Sequence, residues 1–303
     1  ARAGGSRRRR IVTLATEHAA VLETVADLGR TGFEACVLPV QPTGLVDLNR
    51  LEDAVDENTL VVSAMAVNNE IGAIQPLAEI GSICRRRGAL FHSDATQAPA
   101  RIEVDVDAWG VDLLSLSAHK IYGPKGIGAL YVADDATIRG VSTGGGQERG
   151  MRPGTVPTPL ACGFGVAAEL AVEEQPADAV RLERLGERLR LGVEAMATPV
   201  HHFGTDEHRA PGTLSFGFQG IAGDHLVALV ESDIAISTGA ACSSADASVS
   251  HVLAALGCSR AIAATGVRVG LGRYTTDADV EVAVGALRRA SAGAAGKTRR
   301  FDS

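Results

Sequence analysis

Lysine is nearly absent from this chain. Lysine and arginine together number 29, yet only Lys120, Lys125 and Lys297 are lysines. Any covalent chemistry that needs a side-chain amine therefore has three candidates. Aromatic residues make up only 4%, so a core must be built mainly from Ala, Val, Leu and Ile. Positive charge is also in deficit. The net charge is −7, which weighs against a nucleic-acid-binding surface, since that needs a basic patch. The one basic run, Arg7 to Arg10, reads as a solvated end. No apolar run approaches the roughly 20 residues of a membrane-spanning helix. The opening ARAGGSRRRR lacks the apolar centre of a signal peptide. The five cysteines, Cys36, Cys84, Cys162, Cys242 and Cys258, are odd in number, far apart and without a C-x-x-C pair. That excludes neither thiol chemistry nor burial, but it argues against a disulfide framework or a zinc site. Reduced thiols in a reducing compartment, the cytoplasm, are expected, and no metal site is expected.

What is present is ordinary in bulk and informative in order. A length of 303 residues, 46% hydrophobic, allows one large or two medium domains. Strands are predicted at 10–13, 33–40, 59–65, 89–92, 112–117 and 128–133. Helices are predicted between them at 18–30, 47–55 and 76–87, the last stopped by Gly88. Strands that alternate with helices and are apolar nearly throughout imply a parallel sheet covered on both faces. After the glycine-rich stretch 144–155 the pattern changes. Two helices, 159–174 and 177–197, are predicted, then strands at 212–217, 234–237 and 266–269 and helices at 224–230, 248–256 and 276–290. The expected division is a large domain over 1–174 and a smaller α+β domain over 175–303.

Polar residues gather where the early strands end: Asn68, Asn69 and Glu70; Asp94 and Gln97; Ser117, His119 and Lys120. In open α/β sheets that edge is where ligands bind. The stretch LLSLSAHKIYGPKGIGAL at 113–130 reads as a buried strand carrying Lys120 to a sheltered turn. Burial disfavours a charged amine, and a neutral amine attacks carbonyls and forms Schiff bases, with pyridoxal phosphate (PLP) among others. A surface lysine at a strand end is the competing reading of the same residues. Lys125, in the turn sequence GPKG, is expected to face solvent. Cys36, Cys84 and Cys162 sit in apolar patterns and are expected to be buried, as free cysteines usually are.

Together these strand ends resemble the cysteine desulfurase family, PLP enzymes of the aspartate-aminotransferase fold type (fold type I, class V). The resemblance rests on TEH at 16–18, VNNEIG at 67–72, DATQ at 94–97, SAHKIYGPKG at 117–126, GGGQERGMRPGT at 144–155, STGAACSS at 237–244 and VRVGLGRYTT at 267–276. It implies an α/β fold with a mostly parallel sheet of the seven-stranded type between helices, followed by the smaller domain that carries a cysteine loop. Family members carry roughly 80–90 further residues ahead of residue 10, including a Gly-Thr loop that binds the PLP phosphate at a helix N-terminus. A large domain incomplete at its start is therefore expected. Gln147 stands where histidine is commoner in the family, and Gly212 where asparagine is usual.

The resemblance also implies roles. Lys120 would hold PLP covalently and remove the substrate's α-proton. Asp94 would pair with the pyridinium nitrogen, Gln97 would hydrogen-bond the phenolic oxygen, and His18 would stack on the ring and assist proton transfer. Ser117 and His119 would bind the phosphate or polarise the cofactor linkage. Asn69 and Arg268 would take the substrate carboxylate, Arg268 as a bidentate partner. Thr155 would reach the phosphate of the partner subunit's cofactor, which implies a homodimer. Cys242 would be the nucleophile, receiving sulfur from L-cysteine as a persulfide, releasing L-alanine and passing the sulfur to an acceptor protein for iron–sulfur clusters or other thio-cofactor or nucleic-acid modification. A PLP lyase or transaminase has no use for the Cys242 loop. A homologue without catalysis, binding a sulfur-pathway partner, is the second reading.

Overall fold

The computed structural model of the chain describes residues 7–239 and 249–298. These form two compact units. Among the described residues, one contains 7–38, 46–67 and 75–175; the other contains 39–45, 68–74, 176–239 and 249–298.

The first unit begins with β1 (Arg10–Leu14), α1 (Ala19–Arg30), β2 (Glu34–Leu38), α2 (Leu48–Ala54), β3 (Thr59–Ser63), α3 (Leu77–Arg87), β4 (Leu90–Asp94), α4 (Val106–Trp109), β5 (Leu113–Ser117) and β6 (Gly128–Val132). Its sheet has six strands in the order β2-β1-β3-β4-β5-β6. All neighbours are parallel except β5 and β6. The sheet type is the expected one. The expected seventh strand is not among the described residues.

Local chemistry sets the element ends. The Asp47 carboxylate accepts the N–H groups of Asn49 and Arg50 and so starts α2. Gly88 ends α3 in the left-handed region at φ 63°, after three arginines in the last turn. In α3, Gly81 lets the backbone of α4 approach: a Cβ there would lie 2.1 Å from the Trp109 carbonyl oxygen. Val12, Leu14, Val62, Phe91 and Leu114 on the inner strands are buried. Coverage on both faces holds for those strands alone. The edge strands β2 and β6, beyond which no strand lies among the described residues, are largely exposed, and Leu130 on β6 is 51% exposed.

Helix α5 (Thr158–Glu194) runs through Pro176 as one element, where two helices were expected. Proline removes one backbone donor and crowds the carbonyl four residues earlier. Here that marks the change of unit without ending the helix. The second unit continues with β7 (Val200–His202), β8 (Thr213–Phe218), α6 (Gly223–Val230), β9 (Ser237–Thr238), α7 (His251–Ala255), α8 (Arg260–Ala263), β10 (Gly266–Gly270) and α9 (Asp277–Thr298). Its sheet is antiparallel, in the order β7-β8-β10-β9. The strand expected at 234–237 is confined to Ser237–Thr238. Leu185, Leu189, Phe216, Phe218 and Leu287 pack one apolar cluster, and Ile71, Phe203, Val252, Leu253 and Leu256 a second. Ile71 comes from the short 68–74 excursion.

Candidate functional site

Parallel strands put their C-terminal ends on one edge of the first unit's sheet. Thr16, Glu17 and His18 follow β1, Asp94 ends β4, and Ser117, His119 and Lys120 end or follow β5. β4 and β5 are neighbours, with Asp94 in register with Ser115. Asp94 is half-buried, and its Oδ1 accepts the Thr96 N–H at 2.9 Å. This small turn carries the chain to half-buried Gln97. The Ser117 Oγ lies 2.8 Å from His119 Nδ1, so the two hold each other as a hydroxyl–imidazole pair. The His18 Nδ1 accepts the Ala20 N–H at 3.2 Å and caps α1, leaving Nε2 for other work. The helix-start role and the ring-facing role are thus compatible.

Lys120 corrects one expectation. It is exposed, not buried, on a single turn of 3-10 helix, Ala118–Lys120. Burial ends two residues earlier, at Ala118, because the chain leaves the sheet there. The turn that follows is constrained. Tyr122 takes φ 67°, a region costly for a bulky L-residue. The Gly123 N–H closes the turn on the Ala118 carbonyl at 2.9 Å. Lys125 is exposed, as expected. Thr155 is also exposed, in a loop where Glu148 and Arg149 adopt positive φ. Cys162 is exposed too, against the burial expected of it, because its position on α5 faces outward. Cys84 is buried, and burial pushes its thiol up to about 12.

Two ionisable groups sit under Asp94 that the strand-end pattern did not single out. Glu17 is fully buried, and its Oε1 accepts the Met65 N–H at 2.5 Å. Burial raises its pKa to about 8, and the nearby Asp94 charge pushes in the same direction. His92, two residues before Asp94 on β4, spans three strands, with Ser63 Oγ 2.8 Å from Nδ1 and Ser115 Oγ 2.9 Å from Nε2. Burial lowers its pKa, so it stays neutral at neutral pH. The signal for both was a polar residue inside an otherwise apolar strand end. The edge therefore presents an amine, a carboxylate, an amide and a hydroxyl–imidazole pair. That donor set fits the carbonyl, ring nitrogen, phenolic oxygen and phosphate of PLP.

The second unit brings together Asn69 and Arg268. The Arg268 guanidinium, on β10, donates to the Asn69 carbonyl oxygen at 2.8 Å and to Ser237 Oγ at 3.0 Å. The Asn68 side chain accepts the N–H groups of Glu70 and Ile71 and shapes the loop that presents Asn69. Glu70 is buried, and its Oε2 accepts from Ser250 Oγ at 2.5 Å. Burial raises its pKa, opposed by the Ser250 hydrogen bond and by the charges of His251 and Arg268. Cys242 lies outside the described residues. Among the described residues no cluster of His, Cys, Asp and Glu could hold a metal, and no helix is long and apolar enough to cross a membrane.

Comparison with known proteins gives one answer. Residues 2–282 match the family model "Aminotransferase class-V". The chain is 44% identical over 282 residues to "Cysteine desulfurase IscS" of Rickettsia typhi, covering 92% of this chain and 68% of that protein. It is 43% identical to the protein of the same name from Rickettsia prowazekii, with the same coverage. Among solved structures, a "NifS-like protein" superposes with a TM-score of 0.87 at 38% identity, covering 94% of this chain and 75% of that one. "SspA in complex with cysteine" gives a TM-score of 0.75 at 33% identity, covering 89% and 76%.

Proposed function

The chain belongs to the class-V aminotransferase family, among its cysteine desulfurases, and from that premise we propose that it converts L-cysteine to L-alanine and carries the released sulfur on Cys242. The observation that supports this best is the set of polar ends on adjacent parallel strands, with Asp94 on β4 and Ser117, His119 and Lys120 at the end of β5.

PLP is the cofactor that this set fits; when bound, it supplies a conjugated ring that draws electron density from the substrate's α-carbon. Lys120 Nζ would hold the cofactor and would serve as the base for the substrate's α-proton. The Asp94 carboxylate would keep the ring nitrogen protonated, and Gln97 would donate to the phenolic oxygen. Ser117 and His119 bind phosphate, joined by Thr155 from a partner subunit. His18, whose Nδ1 caps α1, would face the ring and move a proton through Nε2. Arg268 and Asn69 receive the substrate carboxylate; the solved relative with cysteine bound supports cysteine as the ligand.

In the transfer step the Cys242 thiolate attacks the substrate sulfur. An S–S bond forms, the C–S bond breaks, and its electron pair stays on carbon and is protonated to give alanine. The persulfide then passes to an acceptor thiol. A homodimer is supported by apolar side chains exposed on the first unit, including Val166, Leu170 and Val172 on α5 and Leu130 on β6. Assignment to the cytoplasm is supported by the four described cysteines, all free.

Two variants test this reading. Lys120→Ala is expected to lose the near-visible absorbance of the PLP-loaded protein. Cys242→Ser is expected to keep that absorbance and lose persulfide and alanine formation. Full alanine release by Cys242→Ser would refute the assignment of the nucleophile.

A further inference from the structure

Glu70 has no role in the proposed chemistry, yet it is a buried carboxylate at a particular place in the second unit. Its Oε2 accepts from Ser250 Oγ at 2.5 Å. That hydroxyl also accepts the Leu253 N–H at 3.2 Å and caps α7. The same Glu70 oxygen lies against Gly239: a Cβ built on Gly239 would meet it at 2.0 Å. Gly239 is the last described residue before 240–248, the segment that holds Cys242, and Ser250 is the second residue after it. One carboxylate therefore touches both ends of that segment.

The base under Glu70 is firm. Asn68 Oδ1 accepts both the Glu70 and the Ile71 N–H groups at 2.9 and 3.0 Å. The Asn68 N–H donates to the Ala73 carbonyl at 2.9 Å. Ile71 is fully buried beside Val252 and Leu253 of α7. Arg268 ties Ser237, two residues before Gly239, to the Asn69 carbonyl. The 68–73 loop thus fixes where the chain leaves at Gly239 and where it returns at Ser250.

We propose that Glu70 is a positioning residue for sulfur transfer, joining Gly239 and Ser250 so that the segment carrying Cys242 starts and ends at a set separation. This rests on the desulfurase reading, but its test does not depend on it alone. Glycine at 239 is required by the approach of the carboxylate rather than by backbone conformation. The two residues should therefore be coupled: Gly239→Ala should do damage only while Glu70 is present.

The experiment compares PLP-loaded wild type with E70A, E70Q, G239A, S250A and the double variant E70A/G239A. Three quantities are read: the cysteine concentration that half-saturates the change in cofactor absorbance, the single-turnover rate of persulfide formation on Cys242 by mass spectrometry, and the iodoacetamide alkylation rate of Cys242 without cysteine. E70A and G239A are each expected to slow persulfide formation at least tenfold and to shift Cys242 alkylation at least threefold, with half-saturation within twofold of wild type. E70Q, whose amide oxygen can still accept from Ser250, should recover to within threefold of wild type. The double variant should be no worse than E70A. Effects of E70A and G239A that multiply, or a half-saturation that weakens in step with the persulfide rate, would overturn the assignment. If E70A does not fold, S250A and G239A decide: Cys242 readouts at wild-type values in both would equally overturn it. If wild type forms no persulfide at all, the desulfurase reading fails, while the alkylation cycle still decides the role of Glu70.

Discussion

A carboxyl group that is fully out of water resists ionising, and Glu17 shows what that costs. Its pKa in the folded chain is about 8, against about 4.3 in an unfolded one. The folded state therefore binds the extra proton between those values. Stability should be full below about pH 4.3 as far as this group is concerned and fall as pH rises towards 8, levelling off above it. At one pKa unit per about 1.4 kcal/mol, the penalty at pH 7 is on the order of 4 kcal/mol. Glu17→Gln keeps an oxygen for the Met65 N–H and removes the titration. Urea unfolding at pH 5 and pH 8 should show a smaller loss of stability in the variant than in wild type. Parallel losses in both proteins would mean that Glu17 is not the titrating group. Beside it, His92 is held neutral between two serines, so Asp94 is flanked by uncharged groups at neutral pH.

At the scale of single elements, glycine has opposite meanings in two helices. In α3 a Cβ on Gly81 would press into the Trp109 carbonyl at 2.1 Å, whereas in α1 a Cβ on Gly29 would make an ordinary contact with Ala35 at 3.6 Å. Gly81→Ala should destabilise by about 1–3 kcal/mol through overpacking. Gly29→Ala should stabilise by about 0.5–1 kcal/mol, because the unfolded chain loses freedom. Urea midpoints measure both; a stabilising Gly81→Ala would contradict the packing of α3 on α4. Helix α5 makes the complementary point. Pro176 announced a break, and the backbone kept its helical course, since a long helix loses one hydrogen bond at a proline and retains the others on either side.

For the molecule as a whole, sequence order and structural membership differ. Ile71 falls between β3 and α3, both elements of the first unit, yet it is buried in the second unit's cluster with Phe203, Val252 and Leu253. Ile71→Ala should therefore cost about 2–5 kcal/mol, felt in the second unit. Hydrogen exchange should quicken at the amides of 252–256 and 266–269 and stay unchanged at 59–63 and 90–94. Loss of protection in β3 and β4 instead would show that the excursion belongs to the first unit.

What could be read from residues alone follows from short-range physics. Strand and helix periodicity, the stop at Gly88 and the gathering of polar residues at strand ends each depend on a few neighbouring positions. The parallel sheet and the identity of Asp94, Gln97, Ser117, His119 and Lys120 as its edge residues came from that pattern. The exposure of Lys120 and Cys162, the fate of the helix at Pro176 and the partners of Glu17 and Glu70 could not be read so. Each is decided by what other segments place nearby: Met65 and Asp94 around Glu17, Gly239 and Ser250 around Glu70. Periodicity tells a residue which face it occupies. Only the packed chain determines which distant atoms meet that face, and it is those atoms that set desolvation, charge and reach.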